Sequence, residues 1–430
     1  MERYTARALS LSLAFVAASV ATSGPGGRVE AAEAVGFSPR PEHVIMIMLD
    51  GFRPDYLIMY DTPVLQELVS QGVWVADARS VFPSTTTTNQ TSFVTGAYPA
   101  THGIPNNSQF DRELRRLKPG PLRDNRAVTI AEALAAAGLN SVSAGHFMLE
   151  GRGVKAYTAG NIDAAIALLE LYRPNLLVYY NSRTDETGHT FGPFSAEMRQ
   201  EVERADEEIG RLREAARRAG VLDETLWVIA SDHGMSPQSE PAVTPSLGEV
   251  LTTAGFTYTQ NANAVGPDTD IFWLQYGSAF LYLLPERFTP ERYQVLLAAL
   301  DRIEHALILD RETLARDFHA DPEALGDVVV APLPGYSIAG GSGQGGIHGR
   351  PAESQILLVF SGAGVKSGAV LPRASIVDIV PTVLALLDVP IPDTVDGQVL
   401  GEILARPFWK EYLVRAGGDL KPRDVAASVY

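Results

Sequence analysis

The 430-residue chain contains no cysteine. That absence excludes disulfides, thiolate zinc sites, iron–sulfur clusters and cysteine nucleophiles together, so any metal has to be held by Asp, Glu and His. Positive charge is also scarce. Lys and Arg number 35 against 51 Asp and Glu, a formal charge of −16, and a surface that negative repels phosphate backbones at long range. The balance argues against a stable nucleic-acid partner. No segment after residue 34 is apolar over the roughly 20 residues that a bilayer span requires, so no transmembrane segment is expected in the mature chain. Internal repeats and low-complexity tracts are absent as well. With 46% hydrophobic and 20% charged residues, the chain can bury one large core or two modest ones.

What is present begins with the pattern of an export signal. Arg3 and Arg7 precede an apolar run over 8–20, and Val29-Glu-Ala-Ala-Glu-Ala34 offers small-residue cleavage positions. Residues 1–34 are therefore expected to be a signal peptide, with a periplasmic or extracellular product. Beyond it, His43-Val-Ile-Met-Ile-Met-Leu49, Pro174-Asn-Leu-Leu-Val-Tyr-Tyr180, Thr225-Leu-Trp-Val-Ile-Ala230 and Gln355-Ile-Leu-Leu-Val-Phe360 read as strands buried on both faces. Helical stretches over 126–137, 161–172 and 196–219 lie between them, the first and last closed by Gly138 and Gly220. This alternation predicts an α/β fold with a mostly parallel sheet flanked by helices on both faces. The rhythm breaks over about 236–338, where a strand at 278–284, a helix at 290–305 and a strand at 327–331 suggest a small inserted α+β cap. The main core would then comprise 35–235 and 339–430.

In open parallel sheets, ligands gather outside the carboxyl ends of the strands. Three of those ends carry an aspartate: Asp50 in Leu49-Asp-Gly-Phe-Arg-Pro-Asp55, Asp185 in Asn181-Ser-Arg-Thr-Asp-Glu-Thr-Gly-His189, and Asp232 in Ser231-Asp-His-Gly234. His189 lies one helical turn beyond Asp185, His233 adjoins Asp232, and His348 sits in the glycine-rich Gly345-Gly-Ile-His-Gly349. Singly, an aspartate after a strand is more often a helix cap than a ligand. As a set, three aspartates and three histidines divide into two groups of three, which is what two divalent ions of zinc type need while keeping positions open for substrate. Two such ions about 4 Å apart can clamp the attacking and leaving oxygens of phosphoryl transfer. A nucleophile is offered by Phe82-Pro-Ser-Thr-Thr-Thr-Thr-Asn-Gln90, a hydroxyl-rich turn leading into a helix. The residues alone do not separate Thr86 from Thr85, Thr87 or Thr88.

These motifs, with Tyr98-Pro-Ala-Thr-His-Gly-Ile104 and Asp185-x-x-Gly-His-x-x-Gly-Pro193, resemble the nucleotide pyrophosphatase/phosphodiesterase family of the alkaline phosphatase superfamily. The resemblance implies an alkaline-phosphatase-like core and an exported, two-metal phosphodiesterase acting on a small phosphodiester or nucleotide substrate. It implies that Asp185, His189 and His348 hold one zinc and that Asp50, Asp232 and His233 hold the other. Thr86, three residues after Pro83 and three before Asn89, falls on the family nucleophile, which forms a phosphothreonine intermediate and also touches the metal. Asn107 falls on an amide that donates to a phosphate oxygen, and Tyr180 on an aromatic of the nucleoside pocket. Departures from the family pattern are Thr87 in place of Phe, Arg183-Thr184 in place of Glu-Pro, and no counterpart of a base-stacking tryptophan over 126–137. A phosphonoacetate-hydrolase-like or phosphomonoesterase member of the superfamily is the alternative. The first would want lysines where this chain has Ser143-Ala-Gly-His-Phe-Met148; the second would want a cation facing the substrate's extra charge, for which Arg183 and Lys155 are the candidates.

Overall fold

The computed structural model describes residues 40–119, 124–341 and 343–405, so the expected signal peptide lies outside the described residues. His43–Leu49 forms the centre of a nine-stranded sheet. Its neighbours Leu176–Asn181 and Thr225–Ala230 run parallel to it. Ser141–Ala144 and Ala156–Thr158 extend the parallel array on one side. On the other side Leu358–Gly362 enters antiparallel between Thr225–Ala230 and Gly72–Arg79, and Ala369–Ser375 pairs parallel with Gly72–Arg79.

The central strand shows why its sequence is apolar without a break. Val44, Met46 and Met48 enter one core, together with Phe93, Leu134 and Ile379 from helices on that face. Ile45, Ile47 and Leu49 enter a second core, with Leu65, Leu169 and Leu212 from helices on the other face. Each fully buried side chain of this kind contributes roughly 1.5–3 kcal/mol, so both pleat faces require apolar residues.

The helices follow their local signals. Ile162–Tyr172 starts at an Asn161 cap, and Ala196–Ala219 runs from a Ser195 cap to a left-handed Gly220. The 126–137 stretch begins later than its periodicity suggests, at Ile130, because Thr129 and Glu132 form a capping box there. The 355–360 run is split into Gln355–Ile356 and Leu358–Gly362. A separate five-stranded sheet, built from Tyr258–Thr259, Ile271–Tyr276, Ser278–Leu283, Val328–Pro332 and Ala306–Leu309, has its own apolar clusters. No helix among the described residues is long and apolar enough to cross a membrane.

Candidate active site

Parallel register aligns the ends of three adjacent strands: Met48 lies opposite Tyr180 on one side and Ala230 on the other. Asp50 and Asp232 therefore emerge side by side, and Asp185 follows on the short helix Arg183–Phe191, with His189 one turn later. His348 arrives through a two-residue ladder in which Ile347 pairs with Ser236, three residues beyond His233. Thr86 is the first residue of the helix Thr86–Thr95. Six carboxylate and imidazole residues from distant parts of the chain thus meet at the carboxyl ends of the central strands, beside a helix N-terminus.

Two clusters result. Nε2 of His189 and of His348 lie 3.4 and 3.6 Å from Asp185 Oδ1, and 3.1 Å from each other. His233 Nε2 lies 3.2 Å from Asp50 Oδ1, and Asp185 closes that group as well. Asp232 is set slightly back, 3.9 Å from His233 Nε2, with its oxygens accepting from the N–H groups of Gly51 and His233 and from Gln90 Nε2.

All three histidines are held the same way. Nδ1 faces a main-chain carbonyl: Gly346 for His189 at 3.0 Å, Gly234 for His233 at 2.9 Å and Ser84 for His348 at 2.8 Å. A carbonyl only accepts, so each Nδ1 carries hydrogen and each Nε2 is turned into the site, the orientation metal-binding histidines use. In their neutral forms His189 and His348 would then face each other with two lone pairs at 3.1 Å. Asp185 Oδ1 is buried with no hydrogen-bond partner, and Asp50 Oδ1 is buried with only His233 Nε2 beside it. Bare lone pairs and orphaned carboxylate oxygens converging on one space fit divalent cations held by oxygen and nitrogen ligands.

The electrostatics agree. Burial pushes the Asp50 carboxyl well up, and the charges of Asp232 and Asp185 add to it; burial raises Asp185 too. Burial opposes charge on His233, but Asp232, Asp50 and Asp185 outweigh it and push the imidazole up to about 10. His348, buried beside His233, is pushed well below the usual histidine range. Such crowding of like charges needs counter-charge.

Among the four threonines, only Thr86 has its hydroxyl against a histidine, 3.3 Å from His233 Nε2. Thr85 stands at the N-cap position without a side-chain capping bond and pairs with the Thr88 hydroxyl at 3.2 Å, while the Thr87 N–H donates to Asn107 Oδ1 at 2.9 Å. Asn107 lines a cavity of about 310 Å³ with His189, His348, Gln275, Tyr276, Gly277 and Ile347. Tyr180 lies apart from that lining: its hydroxyl donates to Asp50, and its ring meets Phe147 edge-on at 5.7 Å.

Several participants carry no sequence signal. Gln90 holds Asp232, the Thr184 hydroxyl donates to the Asp50 carbonyl, and Gln275 and Tyr276 enter from the second sheet. The turn Tyr276–Ser278 lies directly on the His348 loop. A Cβ on Gly277 would come 2.3 Å from the His348 carbonyl oxygen, and one on Gly349 would come 2.0 Å from that of Tyr276. Both glycines are therefore required by close backbone approach.

The family model for type I phosphodiesterase / nucleotide pyrophosphatase matches residues 44–159 and 153–352. An uncharacterized pyrophosphatase/phosphodiesterase of Schizosaccharomyces pombe is 33% identical over 46% of this chain and 45% of its own length. Ectonucleotide pyrophosphatase/phosphodiesterase family member 7 of Mus musculus is 24% identical over 83% of this chain and 86% of its own. A bis(5'-adenosyl)-triphosphatase of Bos taurus is 28% identical over 48% and 50%. The chain thus spans about half the length of the first and third of these relatives, and most of the second. Among solved structures, murine ectonucleotide pyrophosphatase/phosphodiesterase 5 superposes with a TM-score of 0.65 at 20% identity, covering 81% of this chain and 96% of that one. A variant of the alkaline phosphatase PafA gives 0.69 at 17%, covering 87% and 100%. These two likenesses bear on the fold, which is that of alkaline phosphatase; with most of the chain matched by the family model, the protein belongs to the type I phosphodiesterase/nucleotide pyrophosphatase family.

Proposed function

We propose that this chain is an exported, two-metal phosphodiesterase or nucleotide pyrophosphatase that hydrolyses phosphodiester or pyrophosphate bonds through a phosphothreonine at Thr86. The observation that carries the reading is the placement of the Thr86 hydroxyl at a helix N-terminus, 3.3 Å from His233 Nε2 and beside two convergent ligand groups. Asp185, His189 and His348 would hold one divalent ion, of zinc type; Asp50, Asp232 and His233 would hold the other. Bound there, the ions supply Lewis acidity and counter-charge for the reacting oxygens.

The chain's own residues do the rest. Thr86 Oγ1, its proton passing to solvent, bonds to phosphorus as the bond to the leaving oxygen breaks and that oxygen takes up a proton. Water then bonds to phosphorus as the Oγ1–P bond breaks, one of its protons restoring the Thr86 hydroxyl and the other passing to solvent. The N-terminus of Thr86–Thr95 favours the negative phosphoryl group. Asn107, its Oδ1 committed to Thr87, offers its amide N–H to a non-bridging oxygen.

Diester over monoester specificity is supported by the cations being elsewhere. Arg183 reaches towards Glu201, Lys155 lies over the Tyr172 ring, and no Lys or Arg is among the described residues lining the cavity. Among the described residues lining the cavity, a second negative charge on the substrate would find no Lys or Arg. Initial rates on bis(p-nitrophenyl) phosphate and p-nitrophenyl phosphate, with and without chelator, test the reading. A diester preference abolished by chelation is expected. A monoester preference, or turnover indifferent to chelation, would overturn it.

A further inference from the structure

We infer that Ser84 is a positioning residue that locks the nucleophile's turn to the His348 loop; the inference rests on the reading of Thr86 as nucleophile. Ser84 is fully buried and stands two residues before Thr86. Three hydrogen bonds join it to three consecutive residues of the other loop. Its carbonyl accepts from His348 Nδ1 at 2.8 Å, its Oγ accepts from the Gly349 N–H at 3.1 Å, and its own hydroxyl donates to the Arg350 carbonyl at 2.6 Å. One hydroxyl thereby serves a buried donor and a buried acceptor at once; an apolar replacement would leave the Gly349 N–H without the bond that it makes here, and the Arg350 carbonyl with only the Glu353 N–H at 3.2 Å.

The loop it grips is itself fixed. Arg350 is fully buried, with its guanidinium bonded to Glu353, to Glu240 and to the Tyr336 carbonyl. On the other side, Asn89 clamps the turn from within the helix, its Nδ2 donating to the carbonyls of Pro83 and Thr85 at 3.0 and 3.1 Å. Between these two anchored bodies Ser84 is the joint, so it sets where Thr86 Oγ1 stands relative to the Nε2 of His348. Reaction rate falls steeply with misplacement of reacting groups, whereas binding of ground-state substrate depends on it less. The carbonyl bond to His348 does not need the side chain, so ligand orientation survives loss of the hydroxyl.

The test compares Ser84→Ala, Ser84→Thr and Thr86→Ala, each in the full metal-loaded protein, by kcat and KM on bis(p-nitrophenyl) phosphate, bound zinc per chain and thermal melting. Ser84→Ala is expected to lower kcat on the order of 10–100-fold with KM and bound zinc little changed, and Ser84→Thr, which keeps a hydroxyl, to recover most of that loss. Wild-type kcat in Ser84→Ala, or equal losses in the Ala and Thr variants, would overturn the proposal. Full activity in Thr86→Ala would instead overturn the nucleophile assignment.

Discussion

The rings of His233 and His348 lie face to face, with centroids 3.6 Å apart and planes within 8°. Each belongs to a different ligand group, so the two proposed metal positions share a wall made of stacked imidazoles. Replacing either ring alters both groups, which is why the informative substitutions lie around the ligands rather than at them.

Thr86→Ala removes the hydroxyl beside His233 and leaves the three aspartates and three histidines of the proposed metal sites in place. Turnover should fall by on the order of 10³-fold or more, with zinc content unchanged by atomic absorption. Retained turnover would move the nucleophile to a neighbouring threonine.

Under the proposed function, Asn107→Ala would delete the amide N–H offered to a non-bridging phosphate oxygen. The loss expected is on the order of 10²–10³-fold in kcat, and Asn107→Asp should be worse because a carboxylate repels the phosphate. Steady-state kinetics on a diester decide it; an unchanged kcat in the Ala variant would place the amide in a purely structural role with Thr87.

Gln90 acts one step out. Its Nε2 donates to Asp232 Oδ2 at 2.9 Å within a fully buried pair. Gln90→Leu should weaken zinc binding by roughly 10–100-fold, the usual cost of losing a group that orients a ligand. Competition with a fluorescent chelator would measure it, and wild-type affinity would count against Asp232 as a ligand.

In the second sheet, Asp270 is only 1% exposed and receives Arg292 at 2.7 Å and Arg287 at 2.9 Å. Burial alone would raise its carboxyl, but Arg292, the Thr257 N–H and Arg287 together hold it at about 2. A depressed acid stabilises the fold above its unfolded pKa, about 3.9, and loses that contribution as pH falls through the folded value. Asp270→Asn should therefore cost roughly 3 kcal/mol in urea unfolding at pH 7. The gap from wild type should narrow as the pH drops from 4 towards 2, and a pH-independent gap would refute the linkage.

Legibility in the sequence followed burial. The 43–49 strand reads correctly because both its faces are covered, which leaves no polar position to interrupt the run. Gly72–Arg79 has one face half open, carries Asp77 and Arg79, and looks like no strand at all. The antiparallel entry of Leu358–Gly362 is invisible, since an apolar run has no direction. At the site, Asp185 and His189 announce themselves by helical spacing. Gln90 and Ser84 do not, because a glutamine in a helix and a serine in a turn are ordinary until the carboxylate and the loop they hold arrive from more than a hundred residues away.

The backbone apposition of Gly277 and Gly349 has a consequence for how this scaffold can diversify. With no room for a Cβ at either residue, the turn of the second sheet and the His348 loop are a fitted joint, and no single replacement can widen it without prising the two apart. Under the proposed function, new substrate range would come from side chains bordering the cavity, such as Gln275 and Ile347, while the joint stays as it is. A library built for altered selectivity should spend its diversity there and keep both glycines fixed.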